Sequence, residues 1–196
     1  MQPRHTRPEC DERCTQVTGF LRIFSVAIAA AAVTACETPA VNRTATAPLA
    51  TVERVDLDRY LGRWYEIARY DHSFERGCQG VTATYSKNAD GSIKVLNACR
   101  KGALDGPLDT AEGTAKPQNA ENSKLSVTFF WPFAGDYWVI GLADDYSWAL
   151  VGEPSGRYLW ILARTPQIDP TLRADLIAKL QAKGYNTNAL IWVQQS

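Results

Sequence analysis

Five cysteines, two histidines and one carboxylate set in an apolar stretch are the groups in this 196-residue chain whose types could do chemistry. A nucleophile needs a base within hydrogen-bond reach, and a metal needs clustered donors. Neither pattern is present. His5 lies in the leader, and His72 stands alone in a loop, where a single His is ordinarily solvated. Cys10 and Cys14 are spaced Cys-x-x-x-Cys with no further Cys or His nearby, a weak match to a metal pair. No Gly-x-Ser-x-Gly elbow and no phosphate loop occurs. The expectation is therefore no catalytic residue, no metal and no cofactor. Cys78 and Glu66, the latter inside Trp64-Tyr65-Glu66-Ile67-Ala68, are the minor candidates for enzyme chemistry.

Cys78 and Cys99 carry a different chemistry. One opens a strand-like run and the other ends the next, so a hairpin brings them together at one rim. An oxidising compartment favours a disulfide between them, two free thiols being the alternative. Alternation pairs Ala83 with about Val95, which sets Cys99 opposite position 79 rather than Cys78. A bulge of one residue would absorb the difference.

The elements that must position these groups are short strands separated by turn signals. They are read at residues 62–70, 81–85, 93–97, 110–116, 124–130, 137–142, 148–151 and 158–164. Asn88-Ala89-Asp90-Gly91 makes the second and third a hairpin. The pattern predicts an all-β fold, an eight-stranded antiparallel up-and-down barrel with an interior able to hold one small ligand. The period then changes: Asp169 suits an N-cap, Pro170 the first helical position and Gly184 the position beyond the end. Leu172, Leu176, Ile177 and Leu180 form one apolar stripe, predicting one C-terminal α-helix against the barrel. Residues 189–193 read as a short final strand.

Lys+Arg and Asp+Glu balance at 21 each, so no net field recruits nucleic acid. Residues 23–35 form an uncharged run after Arg22, too short for the roughly 20 apolar residues of a bilayer span and of signal-peptide length. Val33-Thr34-Ala35-Cys36 resembles a bacterial lipoprotein processing box, which implies acylation of Cys36. Glu37 follows in place of the Asp that retains lipoproteins at the inner membrane in enteric bacteria, pointing to the outer membrane. The translation start is read downstream of Met1, near Val17. The domains expected are residues 1–35, a leader and signal peptide, residues 36–52, a lipidated N-terminus and flexible tether, and residues 53–196, the barrel domain.

The 22-residue block from Asp56 to Gly77, around Gly62-Arg63-Trp64, resembles the opening of lipocalins, especially the bacterial outer-membrane lipocalins. Two later motifs agree. Asp144-Asp145-Tyr146 resembles the family's Thr-Asp-Tyr turn, with Asp144 in place of the Thr, and Arg164 ends the eighth strand. The resemblance implies that Arg164 packs over the ring of Trp64 as a cation–π pair. Alternation from Trp64 gives the inward face: Glu66, a polar residue at the closed end, then Ala68, Ala83, Tyr85, Val95, Val127, Phe129, Tyr137, Val139 and Trp160 around a pocket. Small residues on several strands, Gly113 and Gly141 among them, leave space for an elongated apolar ligand. Phe129-Phe130-Trp131-Pro132-Phe133 falls at the open mouth, where the rings could pack across the rim, guide an acyl chain or touch a bilayer. Arg69, Arg76, Arg100, Lys101 and Arg157 fall near mouth-side loops and could meet a headgroup. The resemblance implies a lipid-anchored carrier of a fatty acid or lysophospholipid, with a homodimer compatible. A lipid- or isoprenoid-modifying enzyme using the same cavity is the alternative, and an envelope protein without a ligand is a third.

Overall fold

The computed structural model describes residues 42–44 and 47–196. Cys36, the apolar run before it, His5, Cys10 and Cys14 lie outside the described residues, as does the acylation expected at Cys36.

A four-residue helix, α1 (Leu57–Tyr60), precedes the first strand. Its N-terminus is satisfied by Asp56, whose carboxylate accepts from the Asp58 and Arg59 amides at 3.0 and 3.3 Å. This helix was not anticipated from the sequence. Eight strands follow: β1 (Gly62–Arg69), β2 (Cys78–Lys87), β3 (Ile93–Lys101), β4 (Leu108–Pro117), β5 (Lys124–Phe130), β6 (Phe133–Leu142), β7 (Trp148–Gly152) and β8 (Leu159–Ala163). All neighbours are antiparallel in chain order, and β1 pairs with both β2 and β8, which closes the barrel. Helix α2 (Pro170–Ala182) and the two-residue strand β9 (Ile191–Trp192) complete the fold.

The helix follows the capping logic of its sequence. Asp169 accepts from the amides of Thr171 and Leu172, both at 2.9 Å, and Pro170 occupies the first turn. Gly184 takes the left-handed conformation just past the end, at φ +83°. Leu176 and Leu180 are fully buried against Ile67, Ile140, Leu150 and Ile161 on the barrel's outer face.

Register departs from simple alternation at bulges. In β1 the pairing runs from Glu66–Leu162 to Ala68–Ile161, so β1 gains one residue. Ala68 is turned outward into the cluster beneath α2, with Ile161 and Leu176, and does not line the pocket. Arg69, opposite the inward Trp160, is turned inward instead. In β6 a similar slip lies between Val139 and Gly141, and Gly141 faces the side chain of Leu150 rather than free interior space. Between β2 and β3, Ala83 pairs with Asn97 and Tyr85 with Val95, two residues from the expected register. A bulge between Gln79 and Thr82 then brings Cys78 opposite Lys101. Cys78 and Cys99 are disulfide-bonded, with Cα atoms 5.4 Å apart.

Residues 42–44 and 47–52, expected to be tether, lie against the barrel. The Thr44 amide donates to the Gly184 carbonyl at 2.9 Å, Leu49 is buried, and the Val52 amide donates to the Val139 carbonyl at 2.9 Å. Asn42 and Arg43 sit by the β7–β8 loop: the Tyr70 hydroxyl donates to the Asn42 carbonyl, and Arg43 leaves no room for a side chain at Gly156. By Val55, whose amide bonds the Glu121 carbonyl in the β4–β5 loop, the segment has reached the opposite end. The segment 193–195 fills the wall where β1 and β2 part. The Val193 amide donates to the Ile67 carbonyl, the Gly80 amide to the Gln194 carbonyl, and the Gln195 side chain to the Glu66 and Val81 carbonyls.

Candidate functional site

The barrel interior is sealed at one end. Trp64 is fully buried there and donates its indole N–H to the Tyr60 carbonyl at 2.8 Å. The Arg164 guanidinium lies 3.8 Å from the centre of the Trp64 ring. It donates to the carbonyls of Arg63 and Arg59, both at 2.8 Å, and more distantly to those of Tyr60 and Tyr146. A planar cation stacked on one face of a ring and satisfied by backbone oxygens locks α1, β1 and the β6–β7 turn together. Tyr146 joins the same floor: its hydroxyl accepts from the Asp56 amide at 2.8 Å, and Arg59 covers its ring at 4.1 Å. Asp145 accepts from the Ser147 amide in the same turn, and the Asp144 carbonyl accepts from Arg59.

Above the floor three tyrosines meet. The Tyr137 hydroxyl is 2.9 Å from those of Tyr60 and Tyr85. Burial pushes all three phenols up from their ordinary range, so they stay protonated. They border a cavity of about 10 Å³, completed by Leu57, Leu61 and Val127 among others. That is about the space of one water molecule.

Higher up, the barrel opens. The β4–β5 ladder runs only from Pro117–Leu125 to Thr114–Thr128 and stops there. Beyond it, residues 108–112 are all exposed, including Ala111, which pairs with Asn97 on the row that begins at Ala83. The ring of Phe129 occupies the place a side chain at Gly113 would need, 2.8 Å from such a Cβ. Ala83, Tyr85, Val95, Val127, Phe129, Tyr137, Val139 and Trp160 all pack with Trp64 in one interior cluster, so the structure brings the expected pocket residues together except Ala68. The side-chain amide oxygen of Asn97, Oδ1, is buried without a hydrogen-bond partner.

Near the mouth, four buried ionisable groups cluster. Arg69 donates to Glu66 Oε1 and to the Glu75 carbonyl, both at 2.9 Å. The Glu75 carboxylate lies 3.5 Å from Arg69 Nε and 3.3 Å from His72 Nε2 without a well-formed hydrogen bond to either. The His72 ring stacks on Phe74 at 3.9 Å and meets Trp160 at 5.4 Å. Burial, then the neighbouring Glu75 charge, pushes the Glu66 carboxyl up, and burial also raises Glu75. Burial, then the Arg69 charge, lowers His72 to about 4. Two carboxyls sharing one guanidinium in a desolvated place cannot both hold full charge cheaply.

Several expectations are thereby corrected. Glu66 belongs to this mouth-side cluster and not to the closed end. His72 is buried, not solvated. Arg69 is buried in an ion pair, while Arg76 and Lys101 pair at the surface with Asp71 and Asp109. Arg100 reaches the Gly106 carbonyl, and the Arg157 amide is held by the Glu153 carboxylate. Tyr60 and Glu75 were not singled out from the sequence. The signal for the cluster was the Glu66/Arg69 spacing, since an interval of three puts two charges on one face of a strand only across a bulge. Among the described residues no group of three His, Cys, Asp or Glu is arranged for a metal ion. No helix among them is long and apolar enough to cross a membrane, which says nothing of strands.

The family model for a lipocalin-like domain matches residues 55–195. The chain is 43% identical over 179 residues to "Outer membrane lipoprotein Blc" of Escherichia coli, covering 90% of this chain and 97% of that one. It is 44% identical over 148 residues to the protein of the same name in Vibrio cholerae, covering 74% and 85%. Among solved structures, insecticyanin from the tobacco hornworm Manduca sexta superposes with a TM-score of 0.63 at 18% identity, over 81% of this chain and 88% of that one. An eight-stranded closed barrel, a floor made by Trp64 under Arg164, and these matches together make the chain a member of the lipocalin family.

Proposed function

We propose that the protein is a carrier anchored in the outer membrane through acylated Cys36, and that it holds an elongated apolar molecule, a fatty acid or a lysophospholipid, in the upper barrel. One observation carries the reading. Above a floor closed by Trp64 and Arg164, the inward row Ala83–Asn97–Ala111 reaches solvent where the β4–β5 ladder ends. The small side chains of that row leave an acyl chain an entry that a fully packed barrel would lack, beside the Phe129 ring that fills the space at Gly113. The names of the Escherichia coli and Vibrio cholerae relatives support the membrane and the anchor. Carriage is favoured over catalysis because the Cys78 sulfur is bonded to Cys99 and Glu66 is engaged by Arg69.

Each CH₂ removed from water contributes about 0.8 kcal/mol before the cost of immobilising the chain. Titration with fatty acids of increasing length, followed by tryptophan fluorescence, is expected to give affinity that rises with length and then levels off. Ala83→Trp should shorten the longest chain accepted without unfolding the barrel. A headgroup contribution from Arg100 and Arg157 should weaken with salt. No saturable binding at any length would overturn the reading.

A further inference from the structure

The exposed apolar side chains are not spread evenly. Phe130, Trp131 and Phe133 on the β5–β6 tip are 78%, 88% and 78% exposed. Phe74 in the β1–β2 loop and Leu108 at the start of β4 are 55% and 59% exposed. All five lie at the mouth, because these loops alternate with those of the floor in an up-and-down barrel. Monomeric soluble proteins rarely expose so many large apolar groups at one end without using them. Of the charges near them, Arg76 pairs with Asp71 and Lys101 with Asp109, so beside Arg100 and Arg157 the rim offers chiefly apolar surface.

A second observation gives the direction in which the rim faces. Asn42 and Arg43 sit against Tyr70, Gly156 and Lys183, at the mouth end, before the chain runs down the wall to the floor. Only five residues lie between Cys36 and Asn42, six steps along the chain. A fully extended stretch of that length reaches at most about 20 Å. An acyl anchor on Cys36 therefore tethers the mouth, and not the floor, close to the bilayer.

We infer that the mouth is a membrane-docking surface, whose aromatic tip at Phe130, Trp131 and Phe133 seats in the interface of the bilayer that carries the anchor. An acyl chain would then pass between bilayer and barrel without crossing water. Aromatic rings are suited to that interface, where one side is apolar and the other wet. The short tether supplies a high local concentration, so a weak apolar contact suffices. The inference rests on the anchor proposed above.

Trp131 is the exposed one among the six tryptophans, the other five being buried or half-buried. Full-length protein reconstituted in phosphatidylethanolamine and phosphatidylglycerol vesicles containing brominated phosphatidylcholine should show a quenched component. That component should vanish in Trp131→Ala, persist in high salt, and leave vesicle flotation unchanged, since flotation reads the anchor. Flotation with no Trp131-dependent quenching would overturn the docking surface and spare the anchor. Quenching that depends on Trp131 without stable flotation would overturn the anchor and support the surface. A concentration-dependent dimer abolished by Trp131→Ala, with no quenching, would assign the rim to a second copy of the chain and overturn the inference.

Discussion

The two ends of this barrel use the same residue types for opposite ends. At the floor, Trp64 and Tyr60 are buried and Tyr137 half-buried, all with their polar atoms bonded, and Arg164 donates to carbonyls of α1, β1 and the β6–β7 turn. At the mouth, Trp131, Phe130 and Phe133 stand in solvent, and the buried Arg69, His72 and Glu75 keep polar atoms without partners. Satisfied polar groups fix one arrangement, whereas unsatisfied ones raise the energy of the state that contains them. Bonded polar groups are concentrated below and unpaired ones above, a division that suits the carrier proposed above.

The sharpest way to break the comparison is Trp64→Ala. Removing a fully buried aromatic should lower stability by about 3–5 kcal/mol, and Arg164 would lose the ring beneath it. Urea unfolding measures this, and a loss below about 1 kcal/mol would deny the floor its role. The next largest effect belongs to the rim disulfide. Cys99→Ser should cost about 2–4 kcal/mol in the same assay, while thiol titration of the native oxidised protein should find Cys78 and Cys99 unreactive.

A smaller effect sharpens the account of the mouth cluster. His72 falls from its ordinary 6.5 to about 4 in the folded chain. Between those values the unfolded chain binds a proton that the folded chain refuses. The stability contributed by the neutral ring is present above pH 6.5 and is lost as pH falls toward 4. Glu66 and Glu75, raised by burial, act in the opposite sense, since the folded chain retains their protons as pH rises above the ordinary carboxylate range. Comparison with His72→Asn removes that background. The melting temperature of the wild type relative to the variant should drop on acidification across this window, and a flat difference would refute the assignment. The smallest effect closes the series: Trp131→Ala should change stability by no more than about 0.5 kcal/mol, as expected of an exposed side chain away from the core.

Much of this was legible in the sequence because alternation, turn residues and caps are local. The eight strands, the helix after Asp169 and the stacking of Arg164 on Trp64, the last from the family resemblance, all stand in the structure. What alternation could not carry is where a strand gains a residue. The extra residue in β1 sends Ala68 under the helix and Arg69 into the interior, while β2 and β3 pair two residues from the expected register and a bulge between Gln79 and Thr82 takes back one. A bulge is chosen by the fit of two strands and a helix, so alternation alone does not place it. Leu49 and Val52 were missed for a related reason: a stretch rich in Thr, Ala and Pro has no periodicity to read, yet it docks because the barrel wall offers carbonyls and apolar surface.

The wall between β1 and β2 is completed by residues 193–195, through the Ile67, Glu66 and Val81 carbonyls and the Gly80 amide. These partners are separated by more than a hundred positions along the chain. During synthesis or export from the N-terminal side, β1 and β2 must wait with unpaired backbone edges until the final segment arrives. Unpaired edges invite association with other chains. The last turn of the thread is what shuts the vessel, and a chain halted a few residues short would reach the envelope with a seam that any passing strand could fill.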